Sequence, residues 1–321
     1  MAKTSTQTAP KGYPTALLSA VILSTSAIFV RYLTEKYSLP PIILSFWRNL
    51  FVAIVLLLIL GFIRSKLIRI TRSQLSYLII YGLVLAVFNS AWTLSVSING
   101  AAVGTVMAYC SAAFTALLGW WFLKESLTWV KGVVVLLCLS GCVLVAGALD
   151  PAAWSINLIG IITGIGSGLL YAIYTLMGRS ASNRGLNPWT TLLFTFGFGA
   201  IWLLGIDLVG NGILPGTAPG LSGLLWLGAD WQAWLILFTL AAIPTLAGFG
   251  FYNVSLSLMP SSMVNLIVTT EPAFTALWAY FLLGERFTLV QVIGSLLIVT
   301  GVVFLRLWEN RTKGPSLEPV S

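Results

Sequence analysis

Between Pro40 and Arg64 run twenty-three residues, PIILSFWRNLFVAIVLLLILGFI, in which Arg48 is the only charge. A helix of about twenty apolar residues is long enough to cross a hydrocarbon core of roughly 30 Å. In lipid, only a helix or a closed barrel satisfies its own backbone hydrogen bonds. Similar runs recur from one end of the chain to the other, and they do not alternate as barrel strands would. Only 8% of the residues are charged, against about 25% in soluble proteins. A water-facing surface cannot be built from this chain, and the expected fold class is an all-α integral membrane protein.

Gly, Pro and charge punctuation divides the chain into ten expected transmembrane helices. They fall at roughly 14–33, 41–62, 73–97, 101–123, 128–147, 156–178, 187–209, 231–257, 261–283 and 288–307. Thr71-Arg-Ser-Gln74 and Thr288-Leu-Val-Gln291 have capping-box spacing, while Pro41 and Pro188 sit where a first helical turn tolerates them. The polar start, MAKTSTQTAPKGY, runs into the first span with no small-residue cleavage site, so that span is expected to be retained. Residues 1–13 and 308–321 read as cytoplasmic tails, and 14–147 and 156–307 as two five-helix units.

The net charge of +8 follows membrane topology rather than suggesting nucleic acid. With the N-terminus inside, thirteen of the seventeen Lys and Arg residues fall on the inner side and three, Arg31, Lys36 and Arg286, on the outer; Arg48 remains within a span. Both termini are therefore expected in the cytoplasm of a bacterial-type inner membrane. The one long connection, about 210–230, would lie at the outer interface. The three cysteines, Cys110, Cys138 and Cys142, fall inside spans and read as small buried apolar side chains. With no histidine, a transition-metal site is not expected, nor is any cofactor.

The chain writes one passage twice. At a constant offset of 160, CSAAFTALLGWWFLKE (110–125) aligns with TEPAFTALWAYFLLGE (270–285), pairing Ala113 with Ala273 and so on through Phe114/Phe274, Thr115/Thr275, Ala116/Ala276, Leu117/Leu277, Leu123/Leu283 and Glu125/Glu285. The register continues to Gly141/Gly301 and back to Ser95/Ser255. Five spans per half force the halves to be inverted in the membrane, the architecture of many secondary transporters. On these residues the chain resembles the EamA branch of the drug/metabolite transporter superfamily, and within it is most similar to the YddG-type exporters of aromatic amino acids. That resemblance implies export of amino acids or related metabolites through a cavity lined by spans other than the fifth and tenth. The family's proline in the fourth span is Ala112 here, so a helix break is expected in the second half only.

Glu271 lies about 16 Å into the ninth span, where an ionised carboxylate requires a partner or a wet cavity. Pro272 lacks an N–H and frees the carbonyl of Val268 as a helix break. Glu271 is either a coupling or ammonium site or a structural carboxylate beside that break, and it is about 120° around the helix from Asn265, another candidate. Arg48 either snorkels or pairs between helices, or faces the cavity and meets a substrate carboxylate.

At about 100° per residue, Tyr77, Tyr81, Phe88, Trp92 and Ser95 share one face of the third span. Gly164, Ser167, Tyr171, Tyr174 and Gly178 share a face of the sixth, and Pro244, Gly248, Tyr252 and Ser255, with Asn253 adjacent, one of the eighth. Hydroxyl-bearing aromatics suit a half-polar pocket, although an interfacial belt would explain Tyr77 and Tyr174. Small-residue ridges at Gly104/Ala108/Ala112/Ala116 and Gly160/Gly164/Gly168 are expected to pack helices. No nucleophile–base pair, carboxylate dyad or phosphate-cradling Gly-Lys-Ser/Thr motif is present, so the expectation is a secondary transporter rather than an enzyme or an ATP-driven pump. Amino acids are the expected cargo, a broad drug or metabolite efflux carrier is the alternative, and a monomer suffices.

Overall fold

The computed structural model describes residues 9–111, 113–114, 117–118, 121, 128–145, 157–258, 267–268 and 270–312. Among these, all regular structure is helical: α1 (Ala9–Lys36), α2 (Pro41–Ile63), α3 (Arg72–Asn99), α4 (Ala101–Ala108), α5 (Trp129–Val145), α6 (Leu158–Asn183), α7 (Pro188–Gly210), α8 (Trp231–Leu240), α9 (Gly248–Leu258), α10 (Glu271–Trp278) and α11 (Leu289–Thr312). A π-helical segment, Ala241–Ala247, makes α8 and α9 one continuous span. Among the described residues, six helices are long and apolar enough to cross a membrane, and Gly132–Val145 and Leu289–Gly301 are shorter apolar helices. The rest of the expected fourth and ninth spans lies partly outside the described residues.

Local chemistry starts the helices. Thr71 and Gln74 form the capping box, with Thr71 N–H donating to Gln74 Oε1 at 2.9 Å and Gln74 N–H to Thr71 Oγ1 at 3.3 Å. Thr288 and Gln291 repeat it at the same two distances. Pro41 and Pro188 occupy first-turn positions, where the missing N–H leaves no intrahelical bond unmade. The 210–230 connection is tied down by Trp47 Nε1–H donating to Leu224 O at 2.7 Å and Trp226 Nε1–H to Tyr37 O at 3.2 Å. Buried Asp207, near the end of α7, accepts from Ala218 N–H at 2.9 Å.

Helix pairing relates the two halves in three dimensions. α3 packs on α6 and α4 on α6, as α9 and α10 both pack on α1; α2 pairs with α7 and α5 with α11. Exchanging each span with the one five further on maps these pairs onto each other. The α5–α11 pair crosses where Gly141 meets Gly294: a Cβ on Gly141 would lie 2.6 Å from Gly294 O. Small residues permit that approach of two backbones.

One expectation fails. The fourth span is interrupted although it has no proline. Cys110 N–H bonds Met107 O, and Ala113 and Phe114 N–H both bond Cys110 O; 160 residues on, Thr270 N–H bonds Ile267 O, and Ala273 and Phe274 N–H both bond Thr270 O. The two breaks have identical hydrogen-bond patterns. Pro272 is therefore not the break itself: it occupies the second position of α10, just past the turn. The tighter i→i+3 bonding at Cys110 and Thr270 makes each interruption.

The candidate cavity at the two helix breaks

From α3 and α6, aromatic rings form a continuous shelf. Phe88 stacks on Tyr171 at 5.2 Å between centroids and on Tyr174 at 6.2 Å, and Tyr171 and Tyr174 are themselves stacked at 6.3 Å. Tyr81 closes the row, its ring 4.8 Å from that of Tyr174. Helical spacing places these residues one or two turns apart on facing helices, which lets the rings overlap. Tyr174 thus belongs to the shelf rather than to an interfacial belt. Tyr77 lies nearer the end, donating to Met177 O at 2.5 Å with Arg184 over its ring at 4.4 Å.

The shelf reaches the breaks through Tyr109, which the sequence reading passed over. Tyr109 caps the end of α4 and points across to the other break, donating to Glu271 Oε2 at 2.9 Å and to Val268 O at 3.2 Å. Val268 O is the carbonyl freed by Pro272, so a hydroxyl from the other half satisfies it. Pro244 frees Leu240 O in the same way, and there the hydroxyl is local: Thr245 Oγ1 donates to Leu240 O at 2.9 Å. The Tyr109 phenol also lies near those of Tyr171 and Tyr252, and the Tyr252 phenol near that of Tyr174. Glu271 is partly buried, and no ion pair to it occurs among the described residues. Thr275 Oγ1 donates to Ser24 O at 3.2 Å, fixing α10 on α1.

Arg48 does not snorkel. It is 4% exposed, with its guanidinium 5.3 Å from the centre of the Trp92 ring, one turn along α3 from Phe88. Beside it, buried polar groups lock α2 to α3. Asn89 Nδ2 donates to Asn49 Oδ1 at 2.9 Å and Ser45 Oγ to Thr93 Oγ1 at 2.8 Å. Inter-helix ion pairing, the other structural expectation for Arg48, finds no carboxylate among the described residues.

The remaining candidates divide. Asn265 and the side chains of Asn253, Cys138 and Cys142 lie outside the described residues, as do Ala112 and Ala116 of the first small-residue ridge; Cys110 is buried. Gly248 and Tyr252 share a face of α9, but Pro244 does not align simply with them, because it lies in the π-helical segment, which changes the phase ahead of α9. Gly248 instead packs on α1, where Ser19 Oγ donates to Gly248 O at 2.8 Å. The Gly160–Gly168 ridge packs as expected: added Cβ atoms at Gly164 and Gly168 would lie 2.2 Å from Met107 Cε and 2.3 Å from Cys110 Sγ. It thereby seats α6 against the first break. Among the described residues, no group of three His, Cys, Asp or Glu side chains could hold a metal ion.

Glu285 closes one end of the bundle. Its two carboxylate oxygens accept from Ala101 N–H at 2.7 Å and Ala102 N–H at 3.1 Å, capping α4 where unpaired donors and the helix dipole favour an anion. Gly100, at φ 93°, permits the approach, since a Cβ there would lie 2.9 Å from Glu285 Oε1. Arg31 reaches the same carboxylate at 3.8 Å and donates to Ser97 O. The repeat hinted at this role, since Glu285 ends the duplicated passage; its counterpart Glu125 lies outside the described residues.

Comparison with known proteins gives this geometry relatives. The family model of EamA-like transporters matches residues 10–147 and again 158–307. An uncharacterized transporter of Clostridium kluyveri is 27% identical over 300 residues, 91% of this chain and 92% of its own. The uncharacterized inner membrane transporter YicL of Salmonella typhimurium is 26% identical over 309 residues, 94% and 97% respectively. A crystal structure of a protein 14% identical superposes with a TM-score of 0.62, covering 95% of this chain and 99% of that one.

Proposed function

This chain belongs to the EamA-like transporter family, and from that premise we propose that it exports amino acids, aromatic and other neutral ones, from the cytoplasm by alternating access. The observation that carries the reading is the aromatic shelf of Phe88, Tyr171 and Tyr174, which meets the Tyr109–Glu271 pair at the two helix breaks. Stacked rings suit a planar side chain, while hydroxyls and a carboxylate at an interrupted helix suit polar groups at membrane depth. Tyr81, Trp92 and Tyr252 extend the same lining. Asn253 and Asn265 remain candidates from their positions in the sequence.

In this reading both termini face the cytoplasm of an inner membrane, which the distribution of Lys and Arg supports. The Glu285 end then faces outward, and its clamp is an outer gate. Glu271 is the candidate for proton coupling, having a hydroxyl as its partner and no paired cation among the described residues. Pseudo-twofold exchange of the two halves about the breaks would produce the opposite-facing state. The chain can work as a monomer, because both halves of the cavity come from one copy.

Counterflow in proteoliposomes tests the proposal. Vesicles preloaded with unlabelled amino acids should accumulate labelled tryptophan, with competition from aromatic and some aliphatic amino acids. Absence of exchange with every amino acid, from protein shown to be folded, would refute amino-acid cargo and leave a drug or another metabolite as substrate.

A further inference from the structure

Arg48 presents an electrostatic problem that its surroundings leave unsolved. A guanidinium keeps its charge at any physiological pH, and this one is 4% exposed within a membrane-spanning helix. Its Nε is buried without an acceptor, and among the described residues no carboxylate lies within ion-pairing distance. Among the described residues, the ring of Trp92 is the one partner observed. An aromatic face attracts a cation but offers no lone pair for its five N–H donors. Buried charges are otherwise paired, and removal of a partner from such a pair is strongly destabilising.

Its position indicates what the missing partner is. Trp92 and Phe88 are one helical turn apart on α3, and Phe88 stacks on Tyr171. Arg48 therefore stands at one end of the aromatic shelf. The neighbouring Asn49–Asn89 and Ser45–Thr93 bonds hold α2 and α3 in fixed register, so the guanidinium is presented by a rigid support. A planar fork is matched by a carboxylate, which can accept two parallel N–H bonds.

We infer that Arg48 is the anchor for a carboxylate on the transported molecule, so that the cargo is selected as a carboxylic acid whose side chain lies on the aromatic shelf. This rests on the transporter reading above and narrows it. Amino acids satisfy the requirement, and so do other small carboxylates. Amines and amides of the same shape do not, because they leave the guanidinium unpaired and add no anion. A cargo recognised by shape and stacking alone would be indifferent to that exchange.

The experiment uses the full-length protein and chemically matched pairs: tryptophan with tryptophan amide and tryptamine, leucine with leucine amide, and indole-3-propionate with its amide. Thermal stabilisation in detergent and competition in counterflow are both read. Each acid should stabilise the protein and compete at least tenfold better than its amide. Arg48→Met should abolish that preference, and Arg48→Lys, which keeps the charge but not the fork, should retain part of it. Equal action of acids and amides on the wild type overturns the inference even if Arg48→Met does not fold. An acid preference that survives intact in a folded Arg48→Met protein overturns it as well. If amides or amines are exchanged and acids are not, this inference fails while the transporter reading stands; if acids stabilise the protein but no cargo moves, the transport assignment fails while the anchor stands.

Discussion

Replacing Glu285 by Ala removes both acceptors that cap α4. Hydrogen bonds to a charged group contribute about 1.5–3 kcal/mol each, but this side chain is 21% exposed, so water recovers part of that. The Arg31 contact at 3.8 Å is partly solvated and adds little. Loss of an N-cap by itself costs about 1 kcal/mol, and an exposed second N–H brings the total to about 2 kcal/mol. If those bonds exist only when the Glu285 end is closed, the open population rises about 30-fold. A single cysteine at Ala102, 3% exposed, on a background lacking the native cysteines, reports this through its maleimide labelling rate in detergent. Glu285→Gln keeps one acceptor and should give an increase of about fivefold, from about 1 kcal/mol. A cysteine at Ile98, already exposed, should label at the same rate in all variants. An unchanged rate at Ala102 in folded Glu285→Ala protein refutes the clamp.

Tyr109→Phe leaves Val268 O and one Glu271 oxygen without a donor, which should lower stability by about 1–3 kcal/mol; an unchanged Tm would mean that the hydroxyl is not what satisfies that carbonyl. Gly141→Val sets a side chain against Gly294 O and should destabilise the α5–α11 pair by about 1–3 kcal/mol, with the KM of exchange unaltered; a changed KM at unchanged Tm would place this pair at the cavity. Glu271→Gln should abolish uptake driven by a pH gradient while counterflow continues, and an equal response of both proteins to the gradient would dispose of a coupling role.

The membrane class, most helix starts and the duplication were legible in the sequence, because each is settled within one segment. An apolar run must be helical in lipid whatever its neighbours are. The capping boxes at Thr71 and Thr288 close within three residues, and the Gly160–Gly168 ridge announces a close helix contact through its small side chains. The expected inversion rests on the same kind of reading, a count of an odd number of spans per repeat. What each helix face meets does not follow in this way. Tyr109 and Glu271 are 162 residues apart and Glu285 and Ala101 184 apart, so their pairing depends on how the two halves fit together. The break at Cys110 was hidden because its cause is a turn shared with Thr270, not a proline. The π-helical segment at Ala241–Ala247 defeats an angular count that assumes an unbroken α-helix. The sequence placed a charge at Arg48; only packing decided that it would be buried beside Trp92 instead of reaching the membrane surface, because α2 is held there by its bonds to α3.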